Sequence, residues 1–235
     1  MATGSIFASV LFILTTILAV SIFYSATANS KRILLIIAGW SILQCLISLT
    51  GFYLNPDAIP LRFLFSIAPG LAAVILLFFS ERGRSLIDSW DIKKLTLLHI
   101  VRLPVEITLF CVFLAGLIPQ SMTFEGNNFD ILSGITAPIV YCLVFIFKKA
   151  NWKLLLSWNI LCLALLVNIL AIAILSAHTP FQQFAFDQPN IGVTYFPFVL
   201  LPSVVVPLVL ISHLVSIRKI LKAKSKKHNG LVALA

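Results

Sequence analysis

The sequence predicts an all-α membrane protein built as a bundle of seven transmembrane helices, and three observations support this fold class. First, its 235 residues are 60% hydrophobic and 11% charged, whereas soluble domains carry about 25% charged residues. Second, seven hydrophobic runs each have about the 17–25 residues that a bilayer-crossing helix needs. They cover residues 5–26, 33–54, 62–80, 95–118, 131–147, 154–176 and 197–217.

The third observation is the alternation of charge between the runs. Every lysine and arginine except Arg62 and Arg102 falls at 31–32, 82–94, 148–153 or after 217. The alternate connections hold only the acidic residues Asp57, Glu125, Asp130 and Asp187. Because basic loops stay in the cytoplasm, this pattern predicts an N-terminus outside and a C-terminus in the cytoplasm.

The net charge of +9 follows from the same bias. We expect residues 1–217 to form one transmembrane domain and residues 218–235 to form a basic cytoplasmic tail. Such a tail is typical of contact with anionic lipids, so the predicted partners are the bilayer and its anionic lipids rather than a nucleic acid.

Polar side chains inside the fourth run are the best functional clue. His99, Arg102 and Glu106 are spaced i, i+3 and i+7, which places them on one helix face. Ionisable groups in a bilayer are expensive and usually functional. Pro104 lies between them and cannot donate a hydrogen bond to the Ile100 carbonyl, which predicts a kink there.

Two further polar residues lie at a similar predicted depth, Asn159 in the sixth run and His213 in the seventh. Together with span four they form a predicted intramembrane polar cluster of His99, Arg102, Glu106, Asn159 and His213. One interpretation is a structural Arg102–Glu106 ion pair that fixes helix packing. The other is a polar cavity that binds a substrate or moves protons.

A second candidate site lies on the predicted outer face and contains Glu125, Asn128, Asp130 and Asp187. Asp130 is also well placed to cap the fifth helix, where a carboxylate meets the positive helix end. Thr179-Pro180 predicts the start of a short interfacial helix that ends near Asp187.

Several classes are disfavoured by missing motifs. The four cysteines have no CxxC spacing or nearby histidine, so no metal site or disulfide is predicted. No lysine lies within a hydrophobic run, as a retinal Schiff base would require. HExxH, GxSxG and Walker motifs are absent from the sequence, and the sequence identifies no cofactor.

Three runs of residues resemble segments of an uncharacterised family of bacterial multipass membrane proteins: Arg102 to Glu106, Thr123 to Asp130 and Ala185 to Asn190. The resemblance covers about spans four to seven and implies a bacterial inner-membrane protein without an assigned activity. The residues themselves leave three functions open. These are binding or transport of a small substrate or proton, an enzyme acting on a lipid or isoprenoid, and a structural partner of a membrane complex.

Overall fold

The computed structural model describes residues 6–55 and 62–232, with side chains through Lys224. This part of the chain is all-helical and contains no strand. Its α-helices are α1 (Ile6–Ala26), α2 (Lys31–Leu49), α3 (Leu64–Phe79), α4 (Glu81–Asp88), α5 (Ile92–Leu98), α6 (Arg102–Leu114), α7 (Ile131–Tyr141), α8 (Trp152–Leu175) and α9 (Val206–Val232).

Shorter helical segments extend several of these elements. A 3₁₀ turn, His99–Val101, joins α5 to α6, and two π-helical segments, Cys142–Ile146 and Leu201–Val205, follow α7 and precede α9. Three further 3₁₀ turns lie in connections: Phe52–Leu54, Gln120–Met122 and Gly192–Thr194. The helix α9 continues without a break through the predicted domain boundary at 217, and the end of the predicted tail, residues 233–235, lies outside the described residues.

Each of the seven predicted runs overlaps a helix, although the bounds differ by up to several residues. Five helices of the described chain are long and apolar enough to cross a membrane: Ile6–Ala26, Lys31–Leu49, Ile92–Leu114, Trp152–Leu175 and Leu201–Lys224. A sixth is reached if α3 and α4, bent by 92° at their junction, count as one broken span. The segment Ile131–Ile146 is apolar but shorter. Helices of this length and composition are typical of a membrane protein.

The bend between α3 and α4 is set by Ser80. Its backbone is extended, which ends α3, and its hydroxyl accepts a hydrogen bond from the Gly83 N–H at 3.0 Å as the N-cap of α4. Ser, Thr, Asp and Asn are favoured at this position because they satisfy a free N–H of the first turn. The amphipathic α4 therefore turns away from the axis of α3.

The far end of α4 is held against α9 by Asp88. Its carboxylate accepts hydrogen bonds from Arg218 at 3.0 Å and Lys222 at 2.5 Å. The hydrogen bond from Arg218 is the main cause that lowers the pKa of Asp88 from 3.8 to about 2. Since the folded-state pKa is depressed, this contact stabilises the fold above about pH 4 and is lost as the pH falls towards 2.

The chain between α6 and α7 folds back into the bundle instead of crossing its outer face. Leu117, Ile118, Met122 and Asn128 are all buried, and Asn168 of α8 donates to the Asn127 carbonyl at 2.9 Å. Consequently α7 begins inside the bundle, which explains why this helix is short.

The predicted interfacial helix from Thr179 to Asp187 is wrong. This segment has turns and bends, and Ala185 adopts a positive φ of 60°. Glutamine side chains satisfy carbonyls that a helix would otherwise satisfy: Gln182 donates to Phe184 and Ala185. Side-chain hydrogen bonds within the loop therefore replace the helix that Thr179-Pro180 predicted.

Close packing of α7 on α6 depends on Gly134. A Cβ added there would lie 2.7 Å from the Leu103 backbone nitrogen, a contact that requires the backbones to separate. We expect Gly134→Ala to lower the free energy of unfolding by about 1–3 kcal/mol, the usual cost of overpacking, as measured by thermal unfolding in detergent.

The matched control is Gly39→Ala, because a Cβ at Gly39 meets nothing within 4 Å. This control should unfold at the wild-type temperature or slightly above it, since alanine favours helix. Equal stability of the two variants would show that α6 and α7 do not approach as closely as described.

Candidate functional site

The candidate site is a buried polar cluster, which we define as His99, Arg102, Glu106, Asn128, Asp130, Asn159 and His213. All of these side chains are buried. The cluster lies where the rod formed by α5, the 3₁₀ turn and α6 meets α7, α8 and α9. It therefore joins residues from both sites that the sequence predicted separately.

The rod positions the first three residues. His99 lies in the 3₁₀ turn, and Arg102 and Glu106 lie in the first turns of α6. Pro104 cannot donate to the Ile100 carbonyl, so the regular α-helical bonding is interrupted next to this turn. A 3₁₀ turn, His99–Val101, lies just before this position, and Ile92–Leu114 still counts as one continuous helix.

Arg102 pairs with Asp130 and not with Glu106. Its Nη1 donates to Asp130 Oδ1 at 2.7 Å and to the Cys162 carbonyl at 3.3 Å, and the ion pair is almost completely buried. The interpretation of a local Arg102–Glu106 ion pair is therefore wrong. Two physical reasons favour the distant partner: an Arg placed before a Glu at i, i+4 is the weaker orientation, and the connection before α7 brings Asp130 next to Arg102.

Glu106 is held by an amide instead of a cation. Asn128 Nδ2 donates to both carboxyl oxygens, at 2.7 and 2.8 Å, and also to the Met122 carbonyl at 3.0 Å. Glu106 itself is 1% exposed. A buried carboxylate without a cationic partner is costly. Ionising Glu106 is therefore unfavourable for the stability of the cluster.

Asp130 does not act as the helix cap or the outer-rim carboxylate that the sequence predicted. Although it precedes α7, its side chain makes no capping hydrogen bond, and it is 6% exposed. Its N–H donates to Asn128 Oδ1 at 3.0 Å, which couples the Arg102 ion pair to the Glu106 amide contact. These four residues form the acidic half of the cluster.

The other half is a pair of stacked histidines. The ring centroids of His99 and His213 lie 3.8 Å apart, with an angle of 17° between the ring planes. Asn159 Nδ2 donates to the Leu155 carbonyl at 2.8 Å, which leaves its Oδ1 as the acceptor for His213 Nδ1 at 2.9 Å. This contact assigns the proton of neutral His213 to Nδ1. Two charged rings at this spacing would repel, so the pair accommodates one added proton at most.

Several buried polar atoms of the cluster and of Ser216, three residues after His213, have no hydrogen-bond partner within the described chain. They include both ring nitrogens of His99, Nε and Nη2 of Arg102, Nε2 of His213 and Oγ of Ser216. Buried polar groups are normally paired, with protein or with ordered water. The arrangement therefore provides a row of donors and acceptors that runs from the acidic half to Ser216.

Two of the predicted site residues lie outside the buried polar cluster. Glu125 and Asp187 are exposed, and neither is among the side chains that hydrogen-bond to the cluster. Trp158 was not predicted, although its ring packs on both histidines and its indole donates to Thr136 at 2.9 Å. Ser216 was also missed, although it follows His213 by three residues, the spacing that identified Arg102 after His99.

The four cavities that we describe lie in other parts of the described chain, among whose residues no metal-binding group is found. Of the four cavities that we describe in the folded chain, none is lined by Arg102, Glu106 or Asp130. Within residues 6–55 and 62–224, no group of three His, Cys, Asp or Glu side chains is arranged to hold a metal ion.

Comparison with known proteins gives a family without an activity. No curated protein and no solved structure matches the chain. One family model matches residues 58–221, which is more than half of the chain and includes every residue of the buried polar cluster. The chain therefore belongs to the family described as a domain of unknown function, DUF8737.

Proposed function

We propose that this protein is a multi-pass protein of a bacterial inner membrane that binds a proton at Glu106 and transfers it through the membrane. The observation that carries the proposal is the charge balance of the acidic half of the cluster. It contains two carboxyl groups, Glu106 and Asp130, and a single guanidinium, which is committed to Asp130. An ionised Glu106 would leave an excess buried negative charge, so one proton neutralises this site.

The histidine pair supports a route for that proton. His99 precedes Arg102 by one helical turn and stacks on His213, and Ser216 continues the same face of α9. A neutral imidazole carries one nitrogen that can accept a proton and one that can donate it. The unpartnered atoms of this row mark positions where water molecules can bridge the groups.

The closed packing favours a proton over a larger substrate. Arg102 is closed off by Asp130 and Glu106 by Asn128, and none of the four described cavities is lined by Arg102, Glu106 or Asp130. A proton needs only a chain of hydrogen-bonding groups, whereas a small molecule needs a volume of its own.

The direct test is proton flux in proteoliposomes that enclose a pH-sensitive dye. With a potassium diffusion potential as the driving force, the wild type should acidify or alkalise the lumen faster than protein-free liposomes. Glu106→Gln should reduce the rate to the protein-free level, because its amide binds no proton in this pH range. The exposed Glu125→Gln is the matched control and should keep the wild-type rate.

Either of two results would contradict the proposal: a wild-type rate equal to that of protein-free liposomes, or full flux in Glu106→Gln. An altered lipid composition on deletion, without flux, would favour an enzyme. Co-purification of a stoichiometric membrane partner without flux would favour a structural role.

We also propose seven spans with the N-terminus outside and the C-terminus in the cytoplasm, on the basis of the basic residues at alternate connections. A cytoplasm-active reporter fused after Ala235 should be active. A cysteine at Asn127, which is exposed, should react with an impermeant reagent added from outside. Labelling of that cysteine only after the cells are opened would overturn this orientation.

A further inference from the structure

We propose that the groove between α2, α3, α4 and α9 binds one acyl chain of an anionic phospholipid, whose head group is held at Arg82. The groove has a volume of about 670 Å³. Its walls come from Ile37 and Trp40 of α2 and from Val74 of α3, and Leu208 of α9 is part of its floor. This site is separate from the buried polar cluster, and the inference does not depend on proton transfer.

The length and chemistry of the groove match an acyl chain. Lining residues run from Pro69 to Ser80 on α3, about 16 Å at 1.5 Å per residue. One leaflet contributes about half of the 30 Å hydrocarbon thickness of a bilayer. Because the lining is almost entirely apolar and opens beside the largely exposed α2, hydrocarbon fills this space at the lowest cost.

The end of the groove at α4 is polar and has two unused donors. Arg82 lines the groove and is exposed, and it is not among the side chains that form hydrogen bonds within the described chain. By contrast, Arg84 donates to the Phe78 and Phe79 carbonyls at the end of α3. Trp90 lines the same end, is 2% exposed, and its indole N–H has no partner within the described residues.

The bend of 92° between α3 and α4 explains how these donors reach the groove. It places the amphipathic α4 across the end of the apolar channel, where a lipid head group lies when its tail follows α3. With the proposed orientation, this end faces the cytoplasmic leaflet, which carries the anionic lipids. A guanidinium binds a phosphate through directed hydrogen bonds, and an indole N–H adds a neutral donor.

Native mass spectrometry of the full chain tests the proposal. The protein is reconstituted in vesicles of equal phosphatidylglycerol and phosphatidylcholine, re-extracted, and measured for retained lipid. We expect the wild type to retain one phosphatidylglycerol. Ala73→Trp should lose it, because Ala73 lines the groove. Ala72→Trp should retain it, because Ala72 is also exposed but does not line the groove.

The head-group part is tested by Arg82→Gln, an exposed position at which the fold is not at risk. It should lower the preference for phosphatidylglycerol over phosphatidylcholine about five-fold, the effect of one basic residue near an anionic surface. Lys93→Gln, also exposed but outside the groove, should leave the preference unchanged.

Three results would overturn the proposal. Ala73→Trp could retain as much lipid as Ala72→Trp, or Arg82→Gln could keep the preference of Lys93→Gln. A wild-type dimer that Ala73→Trp dissociates would instead show that a second copy of the chain occupies the groove.

Discussion

Removing Arg102 alone is expected to lower the free energy of unfolding by about 3–5 kcal/mol, the cost of stranding a buried charge. In Arg102→Gln, the carboxylate of Asp130 loses its only ion-pair partner among the described residues. Asp130→Asn should cost a similar amount, because it strands the guanidinium. Chemical or thermal unfolding in detergent measures both effects.

The double variant Arg102→Gln/Asp130→Asn should be milder than either single variant, because it removes the pair together. The double variant Arg102→Gln/Glu106→Gln should not be rescued, since Asp130 remains without a partner. If Arg102→Gln/Glu106→Gln were instead the more stable of the two double variants, the result would indicate an Arg102–Glu106 ion pair and would contradict the described geometry.

The second largest effect is expected at Asn128, whose amide is the described hydrogen-bond donor to both carboxyl oxygens of Glu106. Leaving a buried hydrogen-bonding group without its partner costs about 1–3 kcal/mol, and the Asp130 N–H loses its acceptor as well. Asn128→Ala should therefore lower the free energy of unfolding by at least about 2 kcal/mol. It should also slow proton flux, because Glu106 loses the contact that orients it.

Asn127→Ala is the control for Asn128→Ala. The Asn127 side chain is exposed, and the hydrogen bonds that we describe for this residue are made by its backbone: the N–H donates to the Ser121 carbonyl and the carbonyl accepts from Asn168. We expect wild-type stability and flux from this neighbour. If both asparagine variants behave alike, the loop does not contribute a directed contact to the cluster.

The helices were predictable because hydrophobicity over about twenty residues is a local property of the chain. Each predicted run overlaps a helix, and α1 and α8 begin and end within two residues of the predicted bounds. The shortening of α7 and the bend at Ser80 were not predictable, because both depend on contacts between distant segments. The hydrophobic run at 131–147 does not reveal that Asp130, the residue just before it, is held inside the bundle by Arg102.

The candidate residues were predictable as polar groups in apolar sequence, whereas their partners were not. Spacing along α6 placed Arg102 and Glu106 on one face, yet Arg102 pairs 28 residues away in the chain. Asn128 and Asp130 were placed on the outer face because they lie in a polar loop. The apolar side chains of Ile118 and Met122, which are buried in the structure, were the sequence signal that this loop folds inward.

Infrared difference spectroscopy of the protonated carboxyl band tests most directly whether Glu106 carries the proton. Spectra of the reconstituted protein are recorded between acid and alkaline pH in the wild type, Glu106→Gln and Glu125→Gln. Our account predicts a carboxyl C=O band, shifted by D₂O exchange, in the wild type and in Glu125→Gln, and its loss in Glu106→Gln. An unchanged band in Glu106→Gln would show that the proton resides elsewhere and would contradict the proposed function.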